Sequence, residues 1–267
     1  MPRTTKQFSA MLRRLFPGLI AMRLVLVTSM LAFSASGWTG AIQYNIGNGA
    51  KPGRQGELDI IDRVRRGPGP LVITLNEVCG KRYWEIAVAI RDFGYRGYFD
   101  ATNPNGCGGS NGGLGFGNAI FYLGEGIQAF KSPYVNNNAS NRRAVCVKAR
   151  LGQFAYLVCT THLDDSSLAN KQALEFFHWV NRRRQETSNL PTIVGGDFNL
   201  TPSQLPMNLW YAHYEEADGS PHNAMDTHSN GKIDYIFYTP GFILQKDAAV
   251  VSGRSDHRML IGYFTKR

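Results

Sequence analysis

Asp197 and Asn199 stand two apart in Gly195-Gly196-Asp197-Phe198-Asn199, directly after the apolar run Thr192-Ile193-Val194. The run reads as a buried strand, and Thr201-Pro202 beyond it as a turn. Side chains alternate along a strand, so an acid and an amide two apart at its end point the same way. A carboxylate can deprotonate water or hold a divalent cation, and an amide can grip a phosphate oxygen and orient that water. Such a pair suits phosphoryl chemistry. Alone, a Gly-Gly-Asp segment followed by Asn is also ordinary turn chemistry.

Five further segments place comparable groups at or just beyond the ends of predicted strands. They are Tyr44-Asn45, Leu75-Asn76-Glu77, Thr160-Thr161-His162-Leu163, Lys232-Ile233-Asp234-Tyr235 and Ser255-Asp256-His257. Each has a bland reading: a lone Glu after a strand faces solvent, a lone His fills a surface or a core, and Asp234 caps a turn. Six strand ends carrying Asn, Glu, His, Asp/Asn, Asp and Asp-His in one chain describe an acid-rich cluster with two imidazoles, which the bland readings do not jointly supply.

The elements that must position these groups alternate along the chain. Ala41–Tyr44, Leu71–Leu75, Asn118–Leu123, Ala144–Leu151, Phe154–Thr161, Thr192–Gly195, Lys232–Tyr238 and Met259–Phe264 read as strands. Gln55–Arg66, with Leu58, Ile61 and Val64 at helical spacing, reads as a helix that stops at Gly67-Pro68. Arg82–Phe93 reads as a helix closed by Gly94. Asn170–Gln185 reads as a longer helix with Leu174, Phe177 and Val180 on one face. Its terminal Arg182-Arg183-Arg184 oppose the helix dipole. Helices interleaved among more numerous strands, with no Pro/Ser linker, describe one α/β domain of two packed sheets with helices outside.

The 267 residues are 43% hydrophobic and 18% charged, a globular composition. Residues 1–36 read as a signal peptide: Arg3, Lys6, Arg13, Arg14 and Arg23 lead into an apolar run, Leu24 to Phe33, followed by the small residues Ser34-Ala35-Ser36-Gly37. An uncleaved anchor is the alternative, although the run is short for a bilayer span. Residues 37–267 form the single expected domain. The formal charge is +9; without those five basic residues 24 bases face 20 acids, a balance of +4, which suits a polyanionic substrate without demanding one. Export implies an oxidising compartment and two disulfides among the four cysteines. A two-residue turn at Gly152-Gln153 sets Cys146 opposite Cys159 in a hairpin, at a position close enough to bridge. Cys79 and Cys107 remain for each other. Reduced, buried thiols are the alternative.

Taken together, the motifs resemble the endonuclease/exonuclease/phosphatase (deoxyribonuclease I-like) superfamily over nearly the whole chain from Ile42 to Leu260. The resemblance implies a four-layer α/β sandwich, two packed mixed β-sheets flanked by helices. It implies a metal-dependent phosphoesterase with Glu77 as the main ligand of Mg²⁺, or Mn²⁺, and Asn45 and Asp256 close to it. By the same resemblance Asp197 orients and deprotonates the attacking water, Asn199 holds the phosphate and that water, and Asp234 fixes the tautomer of His257. His162 and His257 contact non-bridging oxygens. Asn118 lines the cleft, and Arg142 and Arg143 are candidate phosphate contacts, although two exposed arginines are also an ordinary solvated face. One departure stands out. Deoxyribonuclease I carries a tyrosine-x-glutamate pair before the strand at Asn118, whereas this chain has Leu114-Gly115-Phe116-Gly117, so the acid that supports the equivalent of His162 there is missing.

Three functions follow as expectations. The first is a secreted nuclease acting on DNA or RNA, with nucleic acid as its partner and no stable protein partner. The second is a phospholipid phosphodiesterase of the sphingomyelinase kind, for which Leu209-Trp210-Tyr211 and Tyr214 are candidate membrane-inserting aromatics, with core packing as the alternative; an inositol-phosphate phosphatase is a further variant. The third is a binding protein that kept the fold.

Overall fold

The structure, a computed structural model, describes residues 40–47, 55–67, 69–107, 114–137, 141–219, 221, 224–241 and 243–266. The expected signal peptide at 1–36 and much of the glycine-rich stretch Gly106–Gly117 lie outside them.

Two mixed sheets of six strands each pack face to face. The first has the order β11(Ile243–Ser252), β12(Arg258–Lys266), β1(Ala41–Asn45), β2(Val72–Cys79), β4(Phe116–Leu123), β3(Tyr95–Asn103). The second runs β5(Glu125–Pro133), β6(Arg143–Leu151), β7(Phe154–His162), β8(Thr192–Asp197), β10(Asp234–Tyr238), β9(Glu215–Glu216). Each sheet contains one parallel pair, β1 with β2 and β7 with β8. Helices α1(Gly56–Arg65) and α2(Gly80–Ile90) cover the first sheet, and α3(Leu168–Glu186) and α4(Leu205–His213) the second. The expected four-layer sandwich is present.

Alternation along β1 explains the layering. Ala41 joins the apolar seam between the sheets with Val147, Ile193 and Ile236. Ile42 and Tyr44 face the helices with Ile60 and Ile86. Gln43 and Asn45 therefore share the inter-sheet face with Ala41. Gly195 lets the sheets approach there, because a Cβ on it would lie 1.9 Å from Thr74 Oγ1.

Both disulfides form as expected. Cys146 pairs directly with Cys159 in the β6–β7 hairpin, whose turn places Gly152 at φ +60°. Cys79 bridges to Cys107.

Several expectations are corrected. Leu58 and Leu174 are exposed, and the buried faces of their helices are carried instead by Ile60, Ile61 and Val64 and by Phe176, Phe177 and Val180. Strands β3, β5 and β11 have no clean apolar alternation and were not expected; all three lie at or beside sheet edges, where one flank meets solvent. The strand at Leu71–Leu75 runs on through Glu77 to Cys79, and β10 starts at Asp234 rather than Lys232. Trp210 and Tyr214 lie not in a loop but in and just after α4, buried against Phe176, Phe177 and Phe237. They are core, which is the alternative reading of these residues, and Leu209 and Tyr211 pack half-buried against the same cluster.

Candidate active site

The six chemical segments converge because the sheets align one set of strand ends. The parallel pairing of β1 with β2 ends with Asn45 beside Asn76; β7 and β8 end together, His162 beside Asp197. The antiparallel β10 begins at the same edge, with Asp234 opposite Asp197. β12 begins just after His257 and lies against β1.

Asn45 joins the two sheets. Its Nδ2 donates to Asp197 Oδ2 at 2.9 Å and lies 3.3 Å from Glu77 Oε1, while its Oδ1 accepts the Gly47 N–H. Glu77 takes φ +55°, and the β2–β4 register slips between Leu75 and Val78. A left-handed conformation costs a non-glycine residue about 1 kcal/mol, and here it turns Glu77 out of the regular pleat.

Around Asp197 the polar groups are dense and buried. Asp197 Oδ2 lies 3.3 Å from His162 Nε2 and 3.6 Å from His257 Nε2. His257 Nδ1 donates to Asp234 Oδ2 at 2.8 Å. Burial and the neighbouring Asp234 raise Asp197 to about 7, against the opposing pull of His257, Asn45 and the Asn199 N–H. Burial opposes charge on His257, yet Asp234, then Asp197 and Asp256, outweigh it and raise the ring to about 9. His162 is pushed well below the ordinary histidine value by burial, by the Arg142 charge and by His257. At neutral pH one imidazole is therefore charged and the other neutral. The acid that meets His162 is Asp197, on the adjacent strand β8.

Asn199 departs from the sequence expectation. β8 ends at Asp197, and Asn199 sits at φ +50°, where its N–H caps Asp197 Oδ1 and its Nδ2 donates to Leu163 O. The strand alternation that would have set it parallel to Asp197 stops two residues too early. Among the described residues its Oδ1 has no partner. Asp256 is exposed beside His257, and it is tied to β1 because Ser255 Oγ donates to Asn45 O at 2.8 Å. Arg254 pairs with Asp59 on α1, which anchors the same loop. Arg143 lies 3.7 Å from Asp100 on β3, whereas Arg142 is near enough for its charge to act on His162.

Sequence reasoning missed the residues beneath the site. Asn76 is a buried hub. Its Nδ2 donates to Asn118 Oδ1 and Thr161 O; its Oδ1 accepts from Gln43 Nε2 and from the Asp197 N–H. Gln43 Nε2 also reaches Asp234 Oδ1 at 3.2 Å. The available signal was Gln43 two before Asn45 on an otherwise apolar strand, a polar residue on the buried face that requires partners. His228 was also missed: its ring centroid lies 4.6 Å from that of His257.

Among the described residues two groups could hold a metal ion, His228 with Asp256 and His257, and Asp197 with Asp234 and His257; the ligand atoms of each lie within 4.8 Å of one another. The donor set also fits a hard cation at Glu77. Its half-buried carboxylate has no lysine or arginine within ion-pair distance among the described residues, and its one hydrogen-bond donor is the Asn45 amide.

A two-sheet sandwich with acids, amides and imidazoles at one strand-end edge defines a phosphoesterase-type scaffold. The chain belongs to the Endonuclease/Exonuclease/phosphatase family, whose model matches residues 42–257. Solved structures share the fold. The catalytic domain of human Nocturnin with bound sulfate anion is 18% identical, covering 86% of this chain and 95% of that one at a TM-score of 0.67. A mannosyl-6-phosphatase of Bacteroides thetaiotaomicron is 16% identical, covering 85% and 99% at 0.64. Truncated TDP2 of Caenorhabditis elegans is 15% identical, covering 85% and 97% at 0.61. At these identities the likeness is one of fold. No curated protein matches the chain in sequence.

Proposed function

We propose that this protein is a secreted, metal-dependent phosphodiesterase that hydrolyses nucleic acid. The observation that carries the reading is Asp197: a buried carboxylate near its titration point at neutral pH, within 3.6 Å of two imidazoles in opposite protonation states. A base works best when its pKa is near the operating pH.

Asp197 takes a proton from the attacking water, whose oxygen forms the new bond to phosphorus. The ester P–O bond on the opposite side breaks, and the leaving oxygen takes a proton from the histidine pair. His257, charged, and His162, neutral, donate to non-bridging oxygens where negative charge develops. Asp234 holds Nδ1 of His257, which directs Nε2 toward Asp197. Asn199 orients the phosphate and the water. Glu77, Asp256 and Asn45 are the residues that would hold Mg²⁺ or Mn²⁺, which when bound neutralises charge on the phosphate oxygens.

Three observations support nucleic acid over lipid. The chain is basic, the Arg142 charge acts on His162, and of the candidate membrane residues Trp210 and Tyr214 are buried while Leu209 and Tyr211 pack half-buried against the same core. The sulfate in the Nocturnin structure, a tetrahedral anion like phosphate, supports an anion site on this fold. Two disulfides support an oxidising, extracellular setting; among the described residues no helix is long and apolar enough to cross a membrane. The test is a panel of duplex DNA, single-stranded DNA, RNA, sphingomyelin and sugar phosphates, with and without chelator. Metal-dependent cleavage of a polynucleotide is expected. Cleavage of a phosphomonoester alone would move the protein toward the sugar-phosphatase relatives.

A further inference from the structure

We propose that His228 is a third substrate-contacting histidine of this site, donating Nε2–H to an oxygen of the phosphoester held by His257. The inference rests on the phosphoesterase reading and adds a residue to it.

The first observation is placement. The His228 and His257 rings lie 4.6 Å apart and tilted by 37°, and ligand atoms of His228, Asp256 and His257 fall within 4.8 Å of one another. A group bound at His257 is therefore within reach of His228. The ring is half-exposed at the rim, whereas His257 is buried.

The second is the tautomer. His228 Nδ1 lies 3.1 Å from the Asn230 N–H. A backbone N–H can only donate, so Nδ1 is the acceptor and Nε2 carries the ring proton. Among the described residues Nε2 has no partner. The same constraint argues against His228 as a metal ligand through Nε2, which would require that nitrogen bare and the Asn230 bond broken.

The third is the rigidity of its support. Thr227 N–H and His228 N–H both donate to Gly231 O, and Gly231 N–H donates back to His228 O. The Thr227 hydroxyl accepts from the Ile233 and Asp234 N–H groups, and Thr227 O accepts from Arg258 N–H. The turn is thus bonded to the residues on either side of the Asp234–His257 pair. At its base the buried Lys232 ammonium meets Glu216 and Asp218, each at 2.7 Å. Asp218 in turn accepts the Met225 N–H. A loop pinned at both ends that carries the Nε2–H of His228 to the edge of an acid–imidazole cluster is built to meet an anion. Asp256 at the same rim would repel that anion, and a divalent cation held by Asp256 offsets the charge.

The test compares wild type, His228→Ala and His228→Gln, each checked by thermal melting for retained fold. A hydrogen bond to a charged oxygen predicts a loss of about 10- to 100-fold in kcat/KM for His228→Ala. Glutamine keeps an amide N–H near the Nε2 position, so His228→Gln should recover to within about fivefold of wild type. In parallel, inorganic phosphate is titrated with Mg²⁺ into protein labelled with ¹⁵N-histidine. The Nε2–H signal of His228 should shift with the same midpoint as that of His257. Wild-type activity in a folded His228→Ala, or a His228 signal unmoved by phosphate, overturns the inference and leaves the phosphodiesterase reading intact. Zn²⁺ inhibition that vanishes in both variants also overturns it, by making His228 a ligand. Should wild type cleave no phosphoester, that reading fails, and the phosphate titration alone decides His228.

Discussion

Asp197 and Asp234 stand directly opposite each other on adjacent antiparallel strands, both buried, and His257 contacts both: Asp234 through Nδ1 at 2.8 Å and Asp197 with Nε2 at 3.6 Å. Like charges directly opposite in a sheet are unfavourable. Here the imidazolium between them makes the pair tolerable.

His257→Ala removes that bridge. Activity should fall by at least about a hundredfold, and the two unbridged buried carboxylates should cost about 3 kcal/mol of stability. Urea melts and initial rates on the same preparation check both. A variant as stable as wild type would show that the bridge does not hold the acids together.

Asp197→Asn separates chemistry from folding. The amide keeps the acceptor for the Asn199 N–H and relieves the repulsion with Asp234, but sets its NH2 against the Asn45 amide that donated to Oδ2. The two effects oppose, so the expected outcome is a Tm close to that of wild type with a rate loss of about 10²–10⁴-fold. Retained activity would sink the assignment of the base.

The pH dependence follows from the coupled Asp197–His257 pair. Activity should rise through an apparent pKa near 7 as Asp197 deprotonates and fall near 9 as His257 loses its proton. Stability has its own sign. The folded values of both groups lie above their ordinary values of 3.8 and 6.5, so the folded protein binds more protons than the unfolded chain. Their contribution is fully present below those ordinary values and is lost as pH rises through about 7 and 9. A pH–rate profile of His257→Gln should lack the alkaline limb. Denaturant midpoints should fall between about pH 6 and pH 9.5 more steeply in wild type than in that variant.

Cys79 lies two residues after Glu77, and its bridge to Cys107 closes a span of 28 residues. Replacing both by Ser should cost about 3 to 4 kcal/mol in the chain-entropy picture. It should also raise the Mg²⁺ concentration needed for half-maximal rate, because Glu77 loses its nearest covalent anchor. The Cys146–Cys159 pair sits within a hairpin away from the metal ligands, and its removal should lower Tm without changing the metal requirement.

Arg142→Ala should weaken polynucleotide cleavage mainly through KM and reduce the salt slope of binding by about one charge. It should also raise the apparent pKa of His162, whose protonation Arg142 opposes. Histidine NMR reads that shift directly.

The chain of residue types along the sequence already carried much of this. Apolar runs ending in Asn45, Glu77, His162 and Asp197 marked the central strands and the edge where they stop, because period-two burial is a local property. The Gly152 turn placed Cys146 opposite Cys159 for the same reason. Edge strands such as Glu125–Pro133 stayed illegible, since a strand with one solvent flank needs no apolar alternation. For Trp210 the sequence left core and membrane-inserting readings side by side, because only the packing of α4 on α3 decides which side it faces.

The amino-acid order by itself determined which groups could do chemistry and that they lie at strand ends. Tertiary structure alone decided which of them touch: Gln43 and Asn76 reaching across the seam to Asp234 and Asp197, Asn199 turned back to cap an acid, His228 set against His257. Those relationships join residues up to 191 positions apart. They exist because two sheets meet face to face at a glycine-thinned seam, where buried polar groups find partners both within their own sheet and across to the other.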